Sequence, residues 1–221
     1  KKTESSVVLR YRHKKTKQEI VFKKFTGQCE VYALVRKIVN IHLPKIYQAS
    51  FDGEKSLVVE EYINGISVAD VLSEGAYSES AAANIMNQLF EVLAVLHSEN
   101  IVHRDIKPEN IMISSDGVVK LIDFSAARIF SRYKSNDTKA LGTIGFAAPE
   151  QYGIDQSDAR TDIYALGILL NILLTGQHPL TYLYPGRYRK IIEKCIETIP
   201  DNRYASVFEL KKQFNKIKPA A

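Results

Sequence analysis

The sequence predicts an α+β fold, β-rich before Asn64-Gly65 and helical after it. Three observations predict it: β-branched and aromatic runs before Asn64, apolar residues at helical intervals after Gly65, and a change between the two at one polar turn. Residues 6–11 (SVVLRY) and 19–25 (EIVFKKF) are strands, joined by the polar stretch 13–17 as a hairpin. Val31, Leu34, Val35 and Ile38 recur at helical spacing, so one helix is placed within residues 27–41. Residues 43–50 and 55–62 continue the strand pattern. Beyond Gly65, Ser78 is positioned to cap a helix running to about Ser98, with Ile85, Leu89, Val92, Leu93 and Leu96 as its buried stripe. Two short strands, 111–113 and 119–122, flank the turn Ser115-Asp116-Gly117, and helices follow at 161–174, 188–197 and 206 to about 216. There is no internal repeat and no low-complexity tract.

Composition narrows the function classes. The 221 residues, 45% of them hydrophobic, suffice for one large domain or two small lobes around a sizeable core. The net charge of +5 is moderate, and Lys14, Lys15 and Lys17 read as a solvated hairpin tip, so no nucleic-acid partner is expected. Cys29 and Cys195 lie far apart without C-x-x-C or histidine spacing, which points to reduced thiols over a disulfide or a zinc site. The longest apolar run, 163–174, contains Asn171 and is too short to span a bilayer. With no signal-peptide pattern, a cytoplasmic chain with no membrane segment of its own is expected.

The chemistry concentrates between residues 103 and 124. His103-Arg104-Asp105-Ile106-Lys107-Pro108-Glu109-Asn110 fits H-R-D-x-x-x-x-N, and Asp123-Phe124 follows thirteen residues after Asn110. Phosphoryl transfer needs these residue types. A carboxylate orients the attacking hydroxyl, a cation meets the moving phosphoryl group, and two oxygen ligands hold hard Mg2+ ions. A polar turn is the plain alternative for either segment alone, since Pro108 and Asn110 are ordinary turn residues. Both segments in this order exclude it.

Together these motifs resemble the catalytic domain of eukaryotic-type (Hanks-type) Ser/Thr protein kinases, in a compact bacterial form. The resemblance covers nearly the whole chain. It implies a single two-lobed domain, with an N-lobe over 1–64 and a C-lobe over 65–221, and it implies use of ATP and Mg2+. By the resemblance Asp105, Lys107, Asn110 and Asp123 are catalytic, and Asn110 and Asp123 are also the metal ligands. Ile20-Val21-Phe22-Lys23 is similar to the V-A-I-K strand, making Lys23 the clamp on the α- and β-phosphates; the alternative is one more exposed lysine beside Lys24. Glu30, the only acid between Glu19 and Asp52, takes the role of the carboxylate holding that lysine, with a plain helix-surface carboxylate as the alternative. Residues 57–65 resemble the last small-lobe strand and hinge. There the Glu61 carbonyl and Ile63 N–H would meet adenine, Val7 and Val21 would roof it, and Met112 would lie beneath. Glu60 falls at the gatekeeper position, a polar choice that calls for a hydrogen-bonded setting.

Further motifs complete the match. Residues 142–150 resemble the activation-segment end G-T-x-x-Y-x-A-P-E, and Thr143 would help place a substrate beside Asp105 and Lys107. A lysine two residues after Asp105 is the Ser/Thr pattern, so the implied partner is a protein with a Ser or Thr acceptor. Autophosphorylation in a homodimer would target Ser131, Ser135 or Thr138. His103 is expected to pack on Phe124. Arg104 would pair with a phosphorylated residue or answer a nearby carboxylate. Asp162 would hold the catalytic-loop backbone and Arg203 would pair with Glu150.

Three departures keep rivals open. Lys2 and Ser5 stand where the second and third glycines of a phosphate loop would be, Ser125 replaces the glycine after Asp123-Phe124, and the stretch from Gly176 to the helix near Tyr188 is short. The rivals are a pseudokinase that senses nucleotide or acts as a scaffold, and a small-molecule phosphotransferase. Retention of Lys23, Asp105, Asn110 and Asp123 argues against the first, and Thr143 with Ala148-Pro149-Glu150 against the second.

Overall fold

In the computed structural model, residues 6–130, 143, 145–152 and 156–218 are described. The first sheet grows from the hairpin. Strands β1 (Ser6–Arg12) and β2 (Glu19–Thr26) pair antiparallel, setting Val8 opposite Lys23 and Arg10 opposite Val21. With β3 (Ile46–Phe51) and β4 (Lys55–Glu61) they form a four-stranded antiparallel sheet in the order β1-β2-β4-β3.

Helix α1 (Glu30–Val35) has six residues, well short of the stretch the apolar spacing suggested. Its N-cap, Cys29, makes no side-chain capping bond. After Arg36 the chain carries the β-branched residues Ile38, Val39 and Ile41, and Asn40 Oδ1 accepts the His42 N–H at 2.8 Å. Low propensity and a competing side-chain bond end the helix where tertiary packing no longer supports it.

Past Glu61 the chain enters the second part through β5 (Gly65–Ser67) and the short helix α2 (Val68–Leu72), both unforeseen from the sequence. Ser67 caps α2 by accepting the Asp70 N–H at 3.0 Å. Gly65 is required here: a Cβ would lie 2.1 Å from the Ile113 carbonyl oxygen, a backbone atom that cannot withdraw. That close approach pairs β5 with β7 (Ile111–Ser114), which in turn pairs with β8 (Val119–Leu121), while β9 (Arg128–Ile129) pairs with β6 (Ile101–Val102).

Helices supply the core. Helix α3 (Glu79–Ser98) starts at Ser78, whose hydroxyl accepts the Ala81 N–H, and the five apolar residues of its predicted stripe are all buried. Helix α4 (Ala159–Thr175) is capped by Asp158 and ends at Gly176, whose φ of 69° is easy only for glycine. Ile163, Leu166, Leu169 and Leu173 of α4 have no exposed surface, as expected of a helix that runs through a core. Each such side chain contributes roughly 1.5–3 kcal/mol by leaving water. Helices α5 (Arg189–Cys195) and α6 (Val207–Phe214) close the far side, and among the described residues only turns lie between Gly176 and α5. Both cysteines are free and buried. No helix among the described residues is long and apolar enough to cross a membrane.

One ion pair ties the region after residue 142 to the helical core. Arg203 meets Glu150 through two hydrogen bonds of 2.7 and 2.9 Å, with side-chain exposures of 0% and 4%. The guanidinium also donates to the carbonyls of Glu197, Arg160 and Thr198, so every one of its donors is used. Arg203→Ala leaves Glu150 buried without its cation, and a loss of about 3–5 kcal/mol is expected in urea unfolding.

Candidate active site

The site is built on one backbone loop held by a buried acid. Asp162, in the first turn of α4 and fully buried, accepts the N–H groups of His103 (2.9 Å) and Arg104 (2.8 Å), and the His97 ring donates to it at 2.8 Å. Burial by itself would raise its pKa, but these donors win and hold it below the ordinary carboxylate value. Clamped on both sides, Arg104 adopts φ 68°, a left-handed conformation costly for a long side chain. Gln151 braces the same point: it donates to the Arg104 carbonyl (2.8 Å) and accepts the Ala148 N–H (3.0 Å). Burial, then the neighbouring Arg128, pulls the Arg104 guanidinium down to about 10.

The clamp aims Asp105. Its Oδ1 accepts the Thr143 hydroxyl at 2.7 Å, and its Oδ2 pairs with Lys107 Nζ at 2.8 Å. Lys107 also donates to Thr143 Oγ1, which closes a three-residue ring. Asn110 donates its amide to the Asp105 carbonyl and to Oδ2, both at 2.8 Å, so its own Oδ1 is left as an acceptor. The Ile122 N–H donates to the Asn110 carbonyl at 2.9 Å, which sets the strand end bearing Asp123 beside the Asp105–Asn110 loop. His103 packs edge-on against Phe124, ring centroids 5.1 Å apart, and donates to the Ile122 carbonyl at 3.2 Å.

Asp123 sits at φ 67° and is held by residues the sequence did not reveal. Its Oδ1 accepts the Tyr32 hydroxyl at 3.2 Å and the Ser125 N–H at 3.3 Å, and Tyr32 in turn accepts the Phe124 N–H at 3.1 Å. Burial pushes the Tyr32 phenol well above its usual range, so it stays a donor. Asp123 is lowered despite burial, chiefly by Lys23 at 3.7 Å and by Ser125.

The sheet side corrects two assignments. Lys23 is 7% exposed and lies 2.7 Å from Glu60 on the neighbouring strand. Glu30 is exposed in the first turn of α1 and makes no ion pair among the described residues. Choosing the only acid on the helix overlooked a diagonal cross-strand neighbour, since Glu60 stands opposite Val21, two residues from Lys23. The second correction is one of register. Val7 stands opposite Lys24, on the sheet face away from Lys23, whereas Val8 stands opposite Lys23 and shares the face of Val21. Ile63 is buried, Met112 is half-buried between Ser67 and Lys120, and the Glu61 carboxylate bonds the Lys45 N–H (2.9 Å) and Lys120 (3.2 Å). Lys2, Ser5, Ser131, Ser135 and Thr138 lie outside the described residues.

The family model for the protein kinase domain matches residues 2–216. The chain belongs to the protein kinase domain family. Among its relatives, a probable serine/threonine-protein kinase of Clostridium acetobutylicum is 29% identical over 94% of this chain and 35% of its own length. Serine/threonine-protein kinase PknL of Mycobacterium tuberculosis is 37% identical over 66% of the chain and 37% of its length. PknB of the same species is 36% identical over 75% of the chain and 31% of its length. The kinase domain described here thus spans about a third of the length of these relatives.

Burial pulls His103 below its ordinary value of 6.5, so the folded chain keeps it neutral. As pH falls below 6.5 the unfolded chain takes up a proton that the folded chain refuses, and stability declines, by at most about 1.4 kcal/mol per pH unit. Asp123 and Asp162, with lowered values, add their losses only below about 3.8. His103→Phe is expected to flatten the fall in melting temperature between pH 7 and pH 5 relative to wild type.

Proposed function

We propose that this domain is a Ser/Thr protein kinase that transfers the γ-phosphate of ATP to a protein hydroxyl with the help of Mg2+. The observation that carries the reading is the Asp105–Lys107–Thr143 ring, which gathers a base, a cation and a segment-borne hydroxyl at one point.

The donor chemistry fits a hard cation. Asn110 spends its amide protons on Asp105 and keeps Oδ1, and Asp123 stays ionised with Oδ1 fixed by Tyr32 and Ser125. When bound, Mg2+ neutralises charge on the phosphates. The other steps belong to the chain. Asp105 accepts the proton of the incoming hydroxyl, taking over the contact it now makes with Thr143. Lys107, within reach of both, offers its ammonium to the transferred group. Lys23 offers its charge to the α- and β-phosphates, while Val8 and Val21 on one side and Met112 on the other enclose the base, with Glu61 and Ile63 presenting backbone groups to its edge. Most of the catalysis is positioning by groups that need no rearrangement.

The partners in this reading are ATP and a protein bearing Ser or Thr, with autophosphorylation of the segment around Ser131, Ser135 and Thr138 in a homodimer as one outlet. A cytoplasmic setting suits two buried, reduced thiols. Intact-mass analysis after incubation with Mg-ATP and a generic basic protein tests the proposal. Phosphate added by the wild type, and reduced about 100-fold or more in Asp123→Asn, is the expected result. Nucleotide binding without transfer would contradict it.

A further inference from the structure

Lys23 takes its partner from the sheet. Its ammonium, 2.7 Å from Glu60 Oε1, is among the most buried cations of the chain, and Glu60 is 3% exposed. Buried ion pairs are weak contributors to stability, because desolvation cancels most of the attraction. Two apolar side chains would serve the centre of this sheet at least as well, so the pair calls for another role. The bonding is also incomplete. Lys23 Nζ makes no well-aligned hydrogen bond and Glu60 Oε2 has no partner among the described residues. The ammonium therefore retains protons to give to an incoming anion. Asp123 Oδ1 lies 3.7 Å from the same ammonium.

Helix α1 supplies no carboxylate to this contact and meets the ammonium only through the Tyr32 ring, 6.0 Å away. It is six residues long, its one acid is exposed, and its buried Tyr32 reaches Asp123 and Phe124 instead. We propose that Glu60 is the positioning residue for Lys23, so that the phosphate-binding lysine is set from within the sheet and not by helix α1. Control of the two halves of the nucleotide site is then divided: strand β4 holds Lys23, and helix α1 holds Asp123 through Tyr32. A shift of α1 would move Tyr32 and with it Asp123, while the Lys23–Glu60 pair, both of whose members lie in the sheet, would stay together. The proposal rests on the kinase reading, which assigns Lys23 to nucleotide phosphates.

Glu60→Gln keeps the shape of the side chain and removes its charge, and Glu60→Asp keeps the charge and shortens the reach. Two readouts separate positioning from structure. The first needs no nucleotide: the rate at which an amine-acylating reagent modifies Lys23, mapped by peptide mass. Glu60→Gln should raise that rate several-fold, Glu60→Asp less, and Glu30→Gln not at all. The second is calorimetric affinity for Mg-ATP. Glu60→Gln should weaken it about tenfold in the wild-type background and leave it unchanged in Lys23→Met, the signature of two residues acting as one unit. If Glu30→Gln exposes Lys23 while Glu60→Gln does not, the proposal is overturned. An equal loss of affinity with and without Lys23 would also overturn it, as a merely structural effect. Wild-type protein that binds no Mg-ATP would remove the kinase reading itself, whereas a binding wild type with an unaltered Glu60→Gln would remove only this inference.

Discussion

The buried carboxylate of Asp162 is the constraint on which the rest of the site depends. A lone carboxylate at zero exposure would be prohibitively unstable in its charged form, so its position commits the chain to bring donors to it. Those donors are the backbone N–H groups of His103 and Arg104 and the ring of His97, from the catalytic loop and the end of α3. Satisfying the acid therefore fixes two consecutive peptide planes. The strained φ of Arg104 follows, and so does the direction in which Asp105 leaves the loop. Neither Asp105 nor Asn110 needs a strong local preference for its position.

Around that fixed loop the polar groups are arranged in pairs, and except for Asp105–Lys107 the partners come from separate segments of the chain. Asp105 meets Lys107 and Thr143, Asp123 meets Tyr32 and Lys23, Lys23 meets Glu60, and Glu150 meets Arg203. The pairs Asp105–Thr143, Asp123–Tyr32 and Glu150–Arg203 each join segments that share no strand ladder. The core of α3 and α4 sets where the elements lie, and the polar pairs set their register to within hydrogen-bond tolerance. The result is a set of oxygen and nitrogen groups already facing one another before any nucleotide arrives.

Much of this was legible in the sequence where the information is local. The loop 103–110, the two short strands that follow it and Asp123 lie within one continuous stretch, so the motifs that carry the kinase resemblance stand next to one another in the sequence. Helices α3 and α4 were legible because long apolar stripes outweigh every competing signal. The unforeseen features depend on pairing across strands or between distant segments. Glu60 follows from the register of β2 against β4, and the choice of Val8 over Val7 from that of β1 against β2; a slip of one residue exchanges the two faces of a strand. Tyr32 and Gln151 act through contacts made only when the chain has folded, and neither belongs to a residue type that announces its role. Glu60 carried a trace of its role as a lone acid in an apolar strand, a residue that demands a partner.

Amide hydrogen exchange at His103 and Arg104, in the wild type and in Asp162→Asn, tests the central claim most directly. If Asp162 sets the catalytic loop, both amides in the wild type exchange only on global unfolding, and in the variant they exchange by a local opening of lower free energy. Fast exchange of these amides in the wild type, at rates matching exposed turns such as that at Gly117, would contradict the account.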